Sequence, residues 1–226
     1  MIITKQSVEL LWITPNPEKQ IEIAGRTCYK SEDKITDNSA YNFVRKLRIS
    51  GHHAMLEHAC ASFRIITDRG ITHEIVRHRL ASYAQESTRY CNYSNDKFGQ
   101  ECTFIEPESL SAGQRESWKE LCKQAEYSYL NMLACNTSPQ IARSVLPNCL
   151  KAEIVMMANL REWRHFIKLR GSQAAHPQIR PIARAIWVAL MDYAPGCFED
   201  LKPEYSKPSL LKHNPLIKFN INEVLP

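Results

Sequence analysis

Apolar positions recur along the chain in two rhythms, and these divide it into strands and helices before any chemistry is considered. Val8, Leu10 and Trp12 alternate with polar or edge positions, which predicts a strand ending before Pro15. Pro17 to Lys30 reads as a helix, with Pro17 near its start and Ile21, Ala24 and Cys28 on one face. A second helix is predicted from about Ser39, with Tyr41, Val44 and Leu47 or Arg48 in period and Gly51 as its stop. Ala61, Phe63 and Ile65 alternate as a strand, Asp68-Arg69-Gly70 supplies a turn, and a short helix is expected from Ile71 to about Arg79.

Leu80 to Asn95 is polar and aromatic without a sustained period, so it is expected to be a loop with functional potential. Glu108 to Cys135 carries the clearest helical stripe: Trp118, Leu121, Cys122, Ala125, Tyr129, Met132 and Leu133, which reads as core. Ser138-Pro139 is a good start for a helix that carries Arg143 and stops by Pro147. Ala152 to Ala158 fits a buried strand or a helix start, and periodicity does not choose between them. Asn159 caps a helix through Arg170, ended by Gly171, and Pro177 opens a last one with Ile179, Ile182, Ala183, Ile186 and Leu190 in step. Trp163 and Trp187 read as core. Residues 1–196 are expected to form a single catalytic domain, and the proline- and lysine-rich stretch 197–226 a loosely packed tail.

Composition narrows the class. With 226 residues, 44% hydrophobic and 23% charged, the chain has the balance of an ordinary globular protein and the length for one core. Neither a signal peptide nor a run of eighteen apolar residues is visible, which points to the cytoplasm and away from membranes. Eight scattered cysteines without any Cys-x-x-Cys pair read as free thiols, not as a disulfide framework or a zinc ribbon. A net charge of +5 favours anionic partners but falls short of a nucleic-acid binder's basic stripe.

Several familiar chemistries are missing. The seven glycines form neither Gly-x-Gly-x-x-Gly nor a Walker A loop, so any nucleotide is held another way. His53, Glu57 and His58 make a poor metal set, since residues five apart on a helix do not share a face, and no metal is expected. No Gly-x-Ser-x-Gly elbow exists, and no cysteine carries the local signature of a nucleophile.

Positive charge is concentrated instead. Arg64, Arg69, Arg77, Arg79 and Arg89 crowd one segment together with His73 and His78. Arginine's planar fork matches phosphate and carboxylate. Taken alone, Arg77-His78-Arg79 fits a helix C-terminus complementing its dipole. The polar groups that follow, Ser82, Gln85, Glu86, Ser87 and Arg89, favour a ligand, as do Arg143 and Arg170 farther on and the pair Arg161 and His165, four apart on one helix face.

Arg77-His78-Arg79, Ser82, Ser87 and Arg89, six specified side chains in thirteen positions, resemble the signature of the flavin-dependent thymidylate synthases. The resemblance extends to Gly51-His52-His53 with Glu57-His58, to Ala142-Arg143 through Leu146-Pro147, and to Asn159-x-Arg161 and Leu169-Arg170, covering roughly residues 50 to 195. Ala84, Gln85, Glu74 and His165 stand where that family more usually has asparagine, glutamate, glutamine and asparagine, and His176-Pro177-Gln178 replaces a more usual Gln-x-Glu.

The resemblance implies an α/β (α+β) fold unlike Rossmann domains, an antiparallel or mixed sheet with flanking helices, and a homotetramer with active sites shared between copies. It implies FAD as cofactor, with NADPH and methylene-tetrahydrofolate as co-substrates and dUMP as substrate. Ala54, Arg77, His78, Arg79, Gln85, Asn159, Arg161 and His165 are the implied FAD contacts; Glu74, Arg77, Gln85, Glu86, Ser87, Arg89, Arg143 and Arg170 the implied dUMP contacts. His53 is implied near flavin and folate, and Arg170, set against the N3/O4 edge of the pyrimidine, is the expected catalytic residue. Two other readings use the same residues: a flavoenzyme of this fold acting on another pyrimidine nucleotide, and a nucleotide- or RNA-binding module without chemistry. His52 and His58 read equally as structural histidines, and Tyr83 and Tyr90 as packing residues.

Overall fold

The computed structural model describes residues 1–107 and 110–201, together with the backbone of 217–219. Two compact units share the chain. The first comprises Met1–Gln6, Ile66–Arg77 and Ala84–Ile154; the second comprises Ser7–Ile65, His78–Tyr83 and Val155–Pro226.

In the first unit, β1 (Ile2–Thr4) pairs in parallel with β5 (Thr103–Ile105), Ile3 opposite Phe104. The long helix α4 (Ala112–Ala134) starts at a full capping box, in which the Ser111 hydroxyl accepts from the Gln114 N–H and the Gln114 side chain accepts from the Ser111 N–H. It buries Cys122 and Tyr129 against Tyr93, Cys102, Phe104, Ala142 and Leu150. The predicted stripe holds except at Leu121, which is exposed. The start of the predicted helix, Glu108 and Ser109, lies outside the described residues. Asp68, expected in a turn, instead ends β3 (Cys60–Asp68) and caps α3 (Arg69–Ile75), its Oδ1 accepting from the Ile71 N–H at 2.7 Å. Helix α5 (Pro139–Ala142) begins at the predicted Ser138-Pro139 and runs into a 3-10 turn, Arg143–Val145.

All five strands of the main sheet have residues in the second unit: β2 (Ser7–Ile13), β3, β4 (Ala81–Gln85), β6 (Lys151–Asn159) and β7 (Ile217–Phe219). Their order is β4-β6-β3-β2-β7, with β2 and β7 parallel. Lys151 to Asn159 is thus a strand, settling what periodicity left open. Helices α1 (Pro17–Thr27), α2 (Ser39–Ile49), α6 (Leu160–Arg170), α7 (Ile179–Tyr193) and α8 (Pro195–Phe198) complete the unit. Helix α6 buries Leu160, Trp163, Phe166 and Ile167 along one stripe. The Trp163 indole N–H donates to the Ala61 carbonyl at 3.0 Å, and its ring meets Phe63 edge-on at 5.0 Å.

Beyond residue 196 packed structure continues. Cys197 and Phe198 are fully buried, and Asp200 receives both Arg164 nitrogens at 2.7 Å. The rest of the expected tail, residues 202–216 and 220–226, lies outside the described residues.

Candidate active site

Each unit carries its own part of the expected ligand-binding set. In the first, Glu74 is half-buried on α3, and the exposed Arg77 follows, its backbone N–H donating to the Glu74 carbonyl. Strand β4 delivers Gln85, whose side-chain amide donates to the Thr72 hydroxyl at 3.0 Å. Glu86 is pinned from three directions. Its N–H donates to the Glu153 carbonyl at 2.8 Å, and its carboxylate accepts from the Tyr93 hydroxyl and from Lys151, each at 2.9 Å. Burial, with Glu86 as neighbour, pushes the Tyr93 phenol far up, so it remains a donor.

Ser87 then opens a tight turn. Its carbonyl accepts from the Tyr90 and Cys91 N–H groups, and its Oγ accepts from the Arg89 N–H at 3.3 Å. The hydroxyl proton is therefore available to an anion. Arg89 is exposed, its guanidinium 5.3 Å from the centre of the Tyr90 ring. The buried Thr88 accepts from Arg143 Nη1 at 3.1 Å and so joins this turn to the 3-10 turn after α5. Ser87, Arg89 and Arg143 are thereby gathered on the surface of one unit, the donor set that a phosphate needs.

In the second unit the expected residues converge on α6. Asn159 caps it, its Oδ1 accepting from the Glu162 N–H at 2.8 Å. Glu162, Phe166 and Arg170 follow at intervals of four and so lie along one face. The His78 imidazole lies over that face, 4.8 Å from the Phe166 ring centre. Its Nδ1 is 2.9 Å from Glu162 Oε1, and its Nε2 is 3.1 Å from Arg170 Nε. His165 Nδ1 reaches the same Glu162 oxygen at 3.2 Å. The Tyr83 hydroxyl donates to the His78 carbonyl at 2.6 Å; burial, with Glu162 adding to it, pushes that phenol up to about 12.

The remaining expected contacts stand apart from this cluster. Arg161 pairs with Glu57 at 2.6 Å, both about half exposed. His53 Nε2 lies 3.1 Å from the Arg48 carbonyl, which only accepts, so that nitrogen carries the proton. Ala54, in the 3-10 turn His53–His58, and Arg79 are exposed. Sequence reasoning passed over Glu162, Thr72 and Thr88. A signal for Glu162 is present in the sequence, a carboxylate three residues after the Asn159 cap, but that spacing has a ready structural explanation in a capping box and nothing local points to a second role.

A family model described as thymidylate synthase complementing protein matches residues 9–196. The chain belongs to this family. A flavin-dependent thymidylate synthase of Geobacter sulfurreducens is 33% identical over 208 residues, 87% of either chain. One of Mycolicibacterium vanbaalenii is 37% identical over 197 residues, 80% of this chain and 78% of its own. Among solved structures, thymidylate synthase X of Helicobacter pylori with FAD and dUMP superposes with a TM-score of 0.73 at 23% identity, over 87% of this chain and 98% of its own. A UMP/dUMP methylase of Streptomyces cacaoi bound with 5-Br dUMP gives 0.76 at 22% identity, over 88% and 96%. At these identities the likeness establishes the family's mixed α/β fold, as the resemblance implied.

Proposed function

We propose that the chain is a flavin-dependent thymidylate synthase, a methyltransferase converting dUMP to dTMP. The observation that carries this reading is the Arg77–Arg89 signature in a chain whose relatives of that name share a third or more of its positions over at least four-fifths of its length. The donor sets in both units support it: exposed arginines beside a hydroxyl-bearing turn in one, and an arginine held by a histidine in the other.

When bound, FAD reduced by NADPH supplies the hydride, and methylene-tetrahydrofolate the carbon. The chain's own groups bind and polarise. Arg89, Arg143 and Ser87 grip the nucleotide phosphate, with Glu74, Arg77, Gln85 and Glu86 as further dUMP contacts. Arg170 faces the N3/O4 edge of the base and stabilises negative charge developing on the pyrimidine, so that C5 becomes nucleophilic. Ala54, Arg77, His78, Arg79, Gln85, Asn159, Arg161 and His165 hold FAD, and His53 lies near flavin and folate. For Arg161, exchanging Glu57 for a flavin phosphate costs little, since a half-exposed ion pair contributes about 0–1 kcal/mol. No described helix is long and apolar enough to cross a membrane. The working form in this reading is a cytoplasmic homotetramer with shared sites.

An absorption scan of the purified protein tests the reading. A yellow protein whose flavin bands bleach with NADPH, and which methylates dUMP in preference to dCMP or UMP, is the expected result. A colourless protein whose nucleotide affinity collapses with salt would show a binding module instead. Arg170→Ala keeps the flavin and loses turnover by about a hundredfold, the scale of one lost transition-state donor.

A further inference from the structure

We propose that Glu162 acts through His78 as a positioning residue for Arg170, fixing by one shared proton arrangement which edge of the guanidinium meets a substrate. The role of Arg170 rests on the functional reading above; the bridge itself rests on geometry. Glu162 and Arg170 are eight residues apart on α6, about 12 Å along the axis. His78 spans the gap by touching one with each ring nitrogen, while Phe166 supports its face.

The donors and acceptors allow one arrangement. Arginine Nε carries a hydrogen and has no lone pair to offer, so His78 Nε2 is the acceptor. The proton of the neutral ring is therefore on Nδ1, where it is donated to Glu162. With its Nε–H engaged, Arg170 meets a ligand only through its Nη groups. That geometry suits the flat edge of a base and restricts the rotation of an otherwise flexible side chain.

A metal ion among His78, Glu162 and His165, whose ligand atoms lie within 4.8 Å of one another, would have to take His78 Nδ1, the nitrogen whose proton is already donated to Glu162. Protonating His78 breaks the bridge differently, because two donors would then face each other at Nε2. The groups facing the ring are Glu162, His165 and Arg170 from α6, and Tyr83, whose hydroxyl binds the His78 carbonyl. Burial first, then Arg170 and His165, hold the imidazole below its usual range against the upward pull of Glu162.

The test uses the full-length protein as isolated, labelled with 15N-histidine, with the His78 signals assigned by their loss in His78→Gln. The unsubstituted protein is expected to show the Nδ1–H tautomer with Nε2 unprotonated at neutral pH. Glu162→Gln lowers the His78 titration midpoint, Arg170→Gln raises it, and these opposite shifts would not come from general loosening of the fold. Turnover of dUMP in Glu162→Gln falls about 10- to 100-fold, the scale on which a carboxylate that orients an imidazole acts at metal sites. The acid limb of its kcat profile moves to lower pH.

An Nε2–H tautomer, shifts of like sign, no shift, or undiminished turnover in Glu162→Gln overturns the proposal. If Glu162→Gln does not fold, the tautomer of the parent and the direction of the Arg170→Gln shift still decide it. If the parent fails to methylate dUMP, the enzyme reading falls, while the tautomer and the paired shifts pass judgement on the bridge separately.

Discussion

Lys151→Met isolates the cost of holding Glu86 in place. The lysine and glutamate side chains are 25% and 11% exposed, with nitrogen and oxygen 2.9 Å apart. A fully exposed pair contributes about 0–1 kcal/mol, and removing one partner of a fully buried pair costs about 3–5 kcal/mol. The intermediate burial places Lys151→Met near 2 kcal/mol, roughly midway between those limits. For a chain of this size about 1 kcal/mol corresponds to roughly 2–4 °C, so Tm falls by about 4–8 °C. Most of that loss is the stranded carboxylate, which keeps only the Tyr93 hydroxyl. Adding Glu86→Gln removes the charge and restores about 1 kcal/mol, so the two substitutions are non-additive. Thermal melts of the two single variants, the double variant and the parent, followed by circular dichroism in physiological salt, complete the cycle. A Lys151→Met melt within experimental error of the parent, or a double variant whose loss equals the sum of the singles, would refute the reasoning.

Gly196→Ala places a Cβ 2.9 Å from Glu18 Oε1 and 3.0 Å from the Tyr41 carbonyl, where the backbone does not yield; it costs about 2 kcal/mol, read from the urea midpoint. Burial and Arg170 depress His78 below its ordinary 6.5, so the unfolded chain binds the extra proton. Its share of stability is complete above about pH 6.5 and is lost as pH falls through the folded value, and His78→Gln flattens that slope in a plot of urea midpoint against pH. Asp200, which burial alone would raise, is held low by Arg164 and Arg48, so a second loss follows below the ordinary carboxylate range and disappears in Asp200→Asn. Arg143→Met weakens dUMP about tenfold or more, the scale of a charged hydrogen bond, and Thr88→Val weakens it less; both are read by titrating the flavin spectrum with dUMP, and equal losses would refute the assigned roles.

The helices were legible wherever caps and periodicity agreed. Pro17, Asn159 and Gly171 mark observed boundaries, and the Cys122–Tyr129 stripe is the core of the first unit. Strand β4 was missed because its residues alternate in exposure but not in hydrophobicity. Ser82 and Ala84 face out, and Ala81, Tyr83 and Gln85 are half-buried at the β4 edge of the sheet. Asp68-Arg69-Gly70 has the composition of a turn, and only the paired Ile71 N–H reveals a cap. Within the site, the signature residues were visible as a pattern in the chain. The partners that hold them, Thr72, Thr88 and Glu162, were not, since each acts on a residue far from its own segment or hides behind a local role.

The chain passes from one compact unit to the other five times, at 6/7, 65/66, 77/78, 83/84 and 154/155. One of those crossings falls between Arg77 and His78, inside the signature itself. No single cut of the gene therefore yields two halves that each retain a whole unit, and neither could be borrowed intact by another protein through recombination. The turn that Arg143 holds through Thr88 and the His78–Arg170 pair are inherited together or not at all.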